Sequence, residues 1–164
     1  MAVDVSGFLG TVAVSDGAWG TLLDERGVPP GYCREEWNVS HPEVVGGIPR
    51  DYLEAGADIV LTNTFTGNRY ALAQHGFADR AAEFSRAGAA VSKQAVGDKA
   101  LVFGSIGPSG KIVMMGEVSP EDLYEAFKEQ ATALAAGGAD GIVVETMTEL
   151  AEILCPVLPG RAGG

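Results

Sequence analysis

An internal repeat is the sequence feature that most restricts how this 164-residue chain can fold. Residues 55–64 (AGADIVLTNT) align without a gap with residues 137–146 (GGADGIVVET). Both copies read as the end of a helix, a glycine, an Ala-Asp pair, and then a short apolar run that ends in polar residues. Such repetition is expected of a parallel (βα) barrel, because every unit of the barrel makes the same passage from helix into strand.

Four short apolar runs alternate with longer segments of helical character. The alternation predicts a parallel sheet covered by helices, since parallel strands need long crossovers and are buried on both faces. A doubly wound sheet fits this alternation as well as a barrel does, and the repeat favours the barrel. The predicted strands are residues 12–14, 59–62, 101–103 and 142–144.

Capping signals predict where the helices begin. A capping box at Ser40 predicts a helix start there, and Pro49 predicts that this helix is kinked or weakened. Residues 78–96, rich in alanine, predict a second major helix. Ser119 followed by Pro120 predicts a third, because serine is a good N-cap and proline is tolerated at the first helical position.

Polar residues follow each predicted strand. Asp16 comes after the first strand, Asn63 and Thr64 after the second, Ser105 after the third and Glu145 after the fourth. Ligands bind at these carboxyl ends in both candidate folds. Two carboxylates at one pocket can hold a substrate ammonium group, exchange protons, or coordinate a hard cation. The structural alternative is that each acid caps the turn or helix that follows it.

Composition argues against several classes of partner. The net charge is −11, which disfavours nucleic acid and anionic membrane surfaces. No apolar run is long enough to span a membrane, so we expect a cytoplasmic protein. Cys33 and Cys155 lack metal-ligand spacing, and we expect each to be a buried, inert thiol. The glycine-rich segment 104–111 lacks the spacing of either nucleotide-binding motif, so phosphate binding there is not predicted.

Several of these motifs, in this order, resemble the homocysteine S-methyltransferase family, which includes the homocysteine module of cobalamin-dependent methionine synthase. The resemblance covers residues 12–152. The motifs are DGAWGT at 16–21, WN at 37–38 with HPE at 41–43, EAGAD at 54–58 with TNTF at 62–65, GSIGP at 104–108, and GAD at 138–140 with ETM at 145–147.

The resemblance implies a (βα)8 TIM-type barrel that transfers a methyl group to the thiol of homocysteine, giving methionine. Zinc would lower the pKa of that thiol, and the methyl donor would be methylcobalamin, S-methylmethionine, S-adenosylmethionine or betaine. The family's three zinc-ligating cysteines lie in its second half, and neither Cys33 nor Cys155 matches one of them. The predicted substrate-binding residues are Asp16, Gly17, Ala18, Asn63, Thr64 and Glu145.

The length corresponds to about the first four βα units of such a barrel. We expect residues 1–152 to form this half barrel and residues 153–164 to be an aberrant Pro/Gly-rich tail that cannot continue a helix, as if the coding region were disrupted near Glu152. Open sheet edges would then promote self-association, and the chain alone would be inactive.

Two alternatives remain open. One is a non-catalytic remnant or half barrel that binds a small amino acid or a complementary subunit. The other is a different βα-barrel enzyme that uses Asp16 and Glu145 as acid and base.

Overall fold

The computed structural model describes residues 12–157, which form an α/β fold around a small parallel sheet. The strands are β1 (Ile59–Leu61), β2 (Leu101–Ile106) and β3 (Gly141–Val144), adjacent in that order and parallel throughout. The α-helices are α1 (Gly20–Glu25), α2 (Trp37–Ser40), α3 (Pro42–Glu54), α4 (Arg69–Ala73), α5 (Ala81–Val96), α6 (Pro120–Ala136) and α7 (Leu150–Val157). Short 3₁₀ turns occupy Arg34–Glu36, Ala78–Arg80 and Val113–Met115.

The predicted first strand is wrong as a buried strand. Only Ser15 pairs with the sheet, through an isolated parallel bridge to Ile59. Val12 is 91% and Val14 is 54% exposed. The run is apolar enough for a strand, but no described residue covers these two side chains enough to bury them.

The helix predictions are partly confirmed. Ser119 caps α6 by accepting a hydrogen bond from the Asp122 amide at 3.0 Å, with Pro120 as the first helical residue. The helix predicted to start near Ser40 begins at Pro42, but the capping box is wrong, because Ser40 ends α2 and its hydroxyl contacts Glu36 and His41 instead.

Two prolines lie inside helices. The sequence predicted that the helix with Pro49 is kinked or weakened and that no helix continues to Pro156. Helix α3 continues through Pro49 to Glu54, with Val45 and Ile48 fully buried on the same face. Helix α7 runs through Pro156 to Val157, so the expected loss of helix after Glu152 is wrong. Tertiary packing outweighs the cost of a missing backbone hydrogen bond, and the predicted boundary at residue 152 falls inside a helix.

The structure explains the internal repeat. Gly56 and Gly138 take φ values of +99° and +96°, a left-handed conformation that favours glycine where a helix turns towards a strand. Two residues later, Asp58 and Asp140 each accept a hydrogen bond at 2.9 Å from a backbone amide of the neighbouring extended segment. Each Gly-Ala-Asp copy therefore ends a helix and fixes the register of the next strand.

Side chains alternate between the two faces of the sheet. Val60 and Val102 point towards the helices and pack with Val96. Farther along β2, Ile106 joins a second cluster with Phe127 and Leu134 of α6. The alternate positions include Leu61 and Ser105, which open onto a cavity at the carboxyl ends of the strands. Within residues 12–157, no helix is both long enough and apolar enough to cross a membrane.

Candidate functional site

A cavity of about 360 Å³ lies at the carboxyl ends of the three strands. Four of the six predicted substrate-binding residues line it, namely Gly17, Ala18, Asn63 and Glu145, whereas Asp16 and Thr64 do not. The rest of the lining consists of Trp19, Gly20, Arg34, Glu35, Leu61, Thr62, Phe65, Thr66 and Ser105. A larger, open groove of about 780 Å³ between α5 and α6 lies on the helical layer, away from the strand ends.

Asp16 lies outside the cavity lining and holds two residues that do line it. Its Oδ2 accepts hydrogen bonds from the Trp19 indole at 2.9 Å and from the Leu61 amide at 2.8 Å. Burial raises the pKa of the Asp16 carboxyl above its ordinary value of 3.8, and the negative charge of Glu145 raises it further, against the opposing effect of those hydrogen bonds. Asp16 therefore orients Trp19 and the end of β1, and it lies near Glu145.

The raised pKa of Asp16 gives a testable pH dependence. The folded state binds the proton more tightly than the unfolded chain, so wild-type stability relative to Asp16→Asn falls as the pH rises from 3.8 through the raised pKa. A carboxyl ¹³C NMR titration measures this pKa directly. We expect Glu145→Gln to lower it, because one negative neighbour is removed, while Glu54→Gln on the exposed end of α3 leaves it unchanged. An Asp16 pKa at or below 3.8, or one insensitive to Glu145→Gln, would contradict the geometry.

Asn63 is held by a reciprocal pair of amides. Its Nδ2 donates to the Arg34 carbonyl at 2.7 Å and to Asn38 Oδ1 at 2.9 Å. Asn38 Nδ2 in turn donates to the Asn63 carbonyl at 2.8 Å and to the Phe84 carbonyl at 3.0 Å. No described residue donates a hydrogen bond to Asn63 Oδ1, so this oxygen is free to accept one from a ligand.

Thr64 is placed differently from its prediction as a substrate-binding residue. Its side chain is 0% exposed, and its hydroxyl donates to the Ser105 carbonyl at 2.8 Å. Its own carbonyl accepts from Gln130 Nε2 at 2.8 Å. Because the hydroxyl is already used inside the protein, Thr64 acts on the cavity only through its neighbours.

Glu145 follows β3 and points into the cavity. Its amide donates to the Ile106 carbonyl at 3.0 Å, which extends the pairing of β3 with β2 by one residue. Its Oε1 accepts from the Ser105 hydroxyl at 2.7 Å, whereas among residues 12–157 its Oε2 has only a long contact of 3.5 Å with the Thr146 hydroxyl. One carboxylate oxygen is therefore fixed and the other is available.

Sequence reasoning missed several residues that shape the cavity. Glu35 is buried, and its Oε1 accepts hydrogen bonds from both the amide and the hydroxyl of Thr66. Tyr52 of α3 donates its hydroxyl to the Ala18 carbonyl at 3.0 Å. A Cβ on Gly17 would lie 3.0 Å from that hydroxyl, so a side chain there would have to displace Tyr52 slightly. The acidic run at 35–36 gave no sign that one of its members is buried.

The glycine-rich segment 104–111, which begins inside β2, serves close packing. A Cβ on Gly104 would lie 2.7 Å from a Leu134 methyl, and a Cβ on Gly107 would lie 2.5 Å from the Phe65 ring. The glycines let helix α6 and the loop after β1 approach β2. Close packing against α6 and Phe65 therefore accounts for the glycines at positions 104 and 107.

The cysteines are buried, as predicted. Both are free and buried. Burial and the charge of Glu35 raise the pKa of Cys33 to about 11, and burial also raises the pKa of Cys155. Within residues 12–157, no group of three or more His, Cys, Asp or Glu side chains could hold a metal ion.

The chain is similar in sequence and fold to proteins that are already known. The sequence model of a family described as "Homocysteine S-methyltransferase" matches residues 13–158. Methionine synthases of Mycobacterium tuberculosis (strain ATCC 25618 / H37Rv) and Mycobacterium leprae (strain TN) are 37% and 35% identical to the chain over 164 aligned positions. These alignments cover 92% of the chain but only 14% and 13% of the two relatives.

Solved structures share the fold. The metallated crystal structure of the homocysteine methyltransferase MmuM from Escherichia coli superposes with a TM-score of 0.78 at 23% identity. The match covers 92% of this chain and 60% of that one. The chain thus spans a small fraction of its curated relatives and about three fifths of its structural neighbour.

Proposed function

The chain belongs to the homocysteine S-methyltransferase family, and from that premise we propose that its cavity binds homocysteine by the amino acid part of the molecule. We further propose that the sheet is half of a (βα)8 barrel, with the segment at Ser15 as its first strand. The parallel order of β1, β2 and β3, with helices packed on one face, supports this arrangement.

The observation that carries the proposal is the pair of acceptors left open at the cavity. Glu145 Oε2 and Asn63 Oδ1 lack strong donors among the described residues, while the other polar atoms of both side chains are engaged. An α-ammonium group supplies three N–H donors and one positive charge. Binding it satisfies both acceptors, and the contact with Glu145 is charge-assisted.

The residues of this chain do not fit the zinc ion that the family resemblance implies. The chain contains two cysteines and two histidines, and the structure brings no three potential ligands together in its described part. Cys33 is additionally a buried thiol with a pKa of about 11. Catalytic zinc needs about three protein ligands. We therefore propose that this chain alone binds homocysteine, and that methyl transfer giving methionine is the activity of the complete family protein.

The acid–base alternative has less support. Asp16 Oδ2 is occupied by the indole of Trp19 and the amide of Leu61, and Asp16 does not line the cavity. These contacts favour an orienting role over proton transfer to a ligand.

Isothermal titration calorimetry with two ligands tests the proposal. L-homocysteine carries the ammonium group, and 4-sulfanylbutanoic acid is the same molecule without it. We expect the deaminated ligand to bind at least about tenfold more weakly, because a charged hydrogen bond is lost, and we expect EDTA to leave both affinities unchanged. Equal affinities for the two ligands, or no binding of L-homocysteine at millimolar concentration, would refute the proposal.

A further inference from the structure

We propose that Ser105 is a positioning residue that holds the Glu145 carboxylate in the orientation needed to receive the ligand's ammonium group. This inference rests on the proposed function. The contact that suggests it is the 2.7 Å hydrogen bond from the Ser105 hydroxyl to Glu145 Oε1. A carboxylate bound at one oxygen by a fixed donor has lost most of its rotational freedom, and its second oxygen then faces one direction.

Ser105 can act in this way because its own backbone is held on both sides. Its amide donates to the Thr62 hydroxyl at 3.0 Å, and its carbonyl accepts from the Thr64 hydroxyl at 2.8 Å. Regular pairing of β1 with β2 ends at Leu61 and Phe103. Beyond that point, the two threonine hydroxyls replace the backbone groups of β1 as partners for β2.

The directions of these hydrogen bonds are fixed by counting protons. The Thr64 hydroxyl has one proton and gives it to the Ser105 carbonyl, so in the 2.6 Å contact between the two threonine hydroxyls Thr62 is the donor. The Thr62 oxygen then accepts the Ser105 amide proton. The network therefore uses every hydroxyl proton once, and Ser105 is left with its hydroxyl proton for Glu145.

Burial and backbone conformation support the same conclusion. Ser105 is 2% exposed, so water does not compete effectively for its hydroxyl. Directly after Glu145, Thr146 takes a φ of +60°, and among the described residues it is the only non-glycine with positive φ. A β-branched residue in this region is strained, and such strain is concentrated at functional sites. The chain thus constrains Glu145 from its backbone as well as from its side chain.

A double-mutant cycle on L-homocysteine affinity separates positioning from a merely structural role. The four proteins are wild type, Ser105→Ala, Glu145→Gln and the double variant. We expect Ser105→Ala to weaken binding about tenfold in the wild-type background and less than about twofold in the Glu145→Gln background, because Ser105 acts through the charge of Glu145. Ser85→Ala removes an equally buried hydroxyl that contacts the Gly67 carbonyl, and it should change the affinity less than about twofold.

The outcomes are distinct. Equal losses in both backgrounds, or no loss from Ser105→Ala, would overturn the positioning role while leaving homocysteine binding intact. Failure of wild type to distinguish L-homocysteine from 4-sulfanylbutanoic acid would instead overturn the proposed function. Ser105→Cys keeps the size of the side chain with a weaker donor and provides the same test if the alanine variant does not fold. We expect it to weaken L-homocysteine binding severalfold and to leave the affinity for the deaminated ligand unchanged.

Discussion

Gly107→Ala lowers the free energy of unfolding by about 3 kcal/mol, because the site has no room for a methyl group. The added Cβ would lie 2.5 Å from the Phe65 ring and 2.7 Å from the Phe65 carbonyl oxygen. That carbonyl also accepts the Gly107 amide at 2.9 Å, so the two backbones cannot separate without losing this hydrogen bond. The contact is therefore relieved only by moving the loop after β1 or the loop after β2.

Urea unfolding monitored by circular dichroism measures this effect, and the melting temperature should fall by roughly 6–12 °C. Gly20→Ala is the matched control. Among the described residues its Cβ would meet nothing nearer than the Arg34 guanidinium carbon at 3.7 Å. Gly20 also occupies the first position of α1, where alanine is well tolerated. Equal stability of the two variants would show that the loops adapt more freely than their packing indicates. Because Phe65 lines the cavity, Gly107→Ala should also weaken ligand binding.

The sequence predicted the parts of the fold that depend on local pattern. The alternation of apolar runs and helical segments predicted β1, β2, β3 and the position of α5, and the serine before Pro120 predicted the start of α6. These features follow from hydrophobic periodicity and capping, which act over a few residues. The errors concern the first predicted strand, the capping box at Ser40 and the end of the helix before Pro156, where tertiary contacts or a neighbouring turn outweighed the local pattern.

One part of the candidate site was predictable, because the carboxyl ends of parallel strands meet at the same edge of a sheet. Placing Asn63 and Glu145 at equivalent points of the repeat was sufficient to predict that both line one cavity, and the structure confirms this. The roles of Asp16 and Thr64 were not predictable, because a polar residue after a strand can face the ligand or pair with the neighbouring chain. That choice depends on the contact of Asp16 with Leu61 and of Thr64 with Ser105, which are tertiary.

Glu145→Gln is expected to weaken L-homocysteine binding by about tenfold to a hundredfold, the equivalent of losing a charged hydrogen bond of about 1.5–3 kcal/mol. The substitution preserves the shape of the side chain, and its single amide oxygen still accepts from the Ser105 hydroxyl. An NH2 donor then replaces the open Oε2, so the loss reports the negative charge together with the lost acceptor. Stability should change little, since Glu145 has no ion pair within residues 12–157 and removing it relieves the repulsion with Asp16.

Calorimetry at low ionic strength measures the affinity of this variant beside Glu54→Gln, which removes the same charge from an exposed position on α3. The control matters because the chain carries a net charge of −11, and any lost carboxylate alters the long-range field acting on the charged groups of the zwitterionic ligand. If Glu145 contacts the ammonium group directly, only Glu145→Gln loses affinity, and the loss persists at high salt. If the effect is long-range, both variants lose affinity, and salt screens the loss. If Glu145→Gln and wild type had equal affinities, the ammonium group would not bind at this end of the cavity. Ser105 would then not have the positioning role proposed for it.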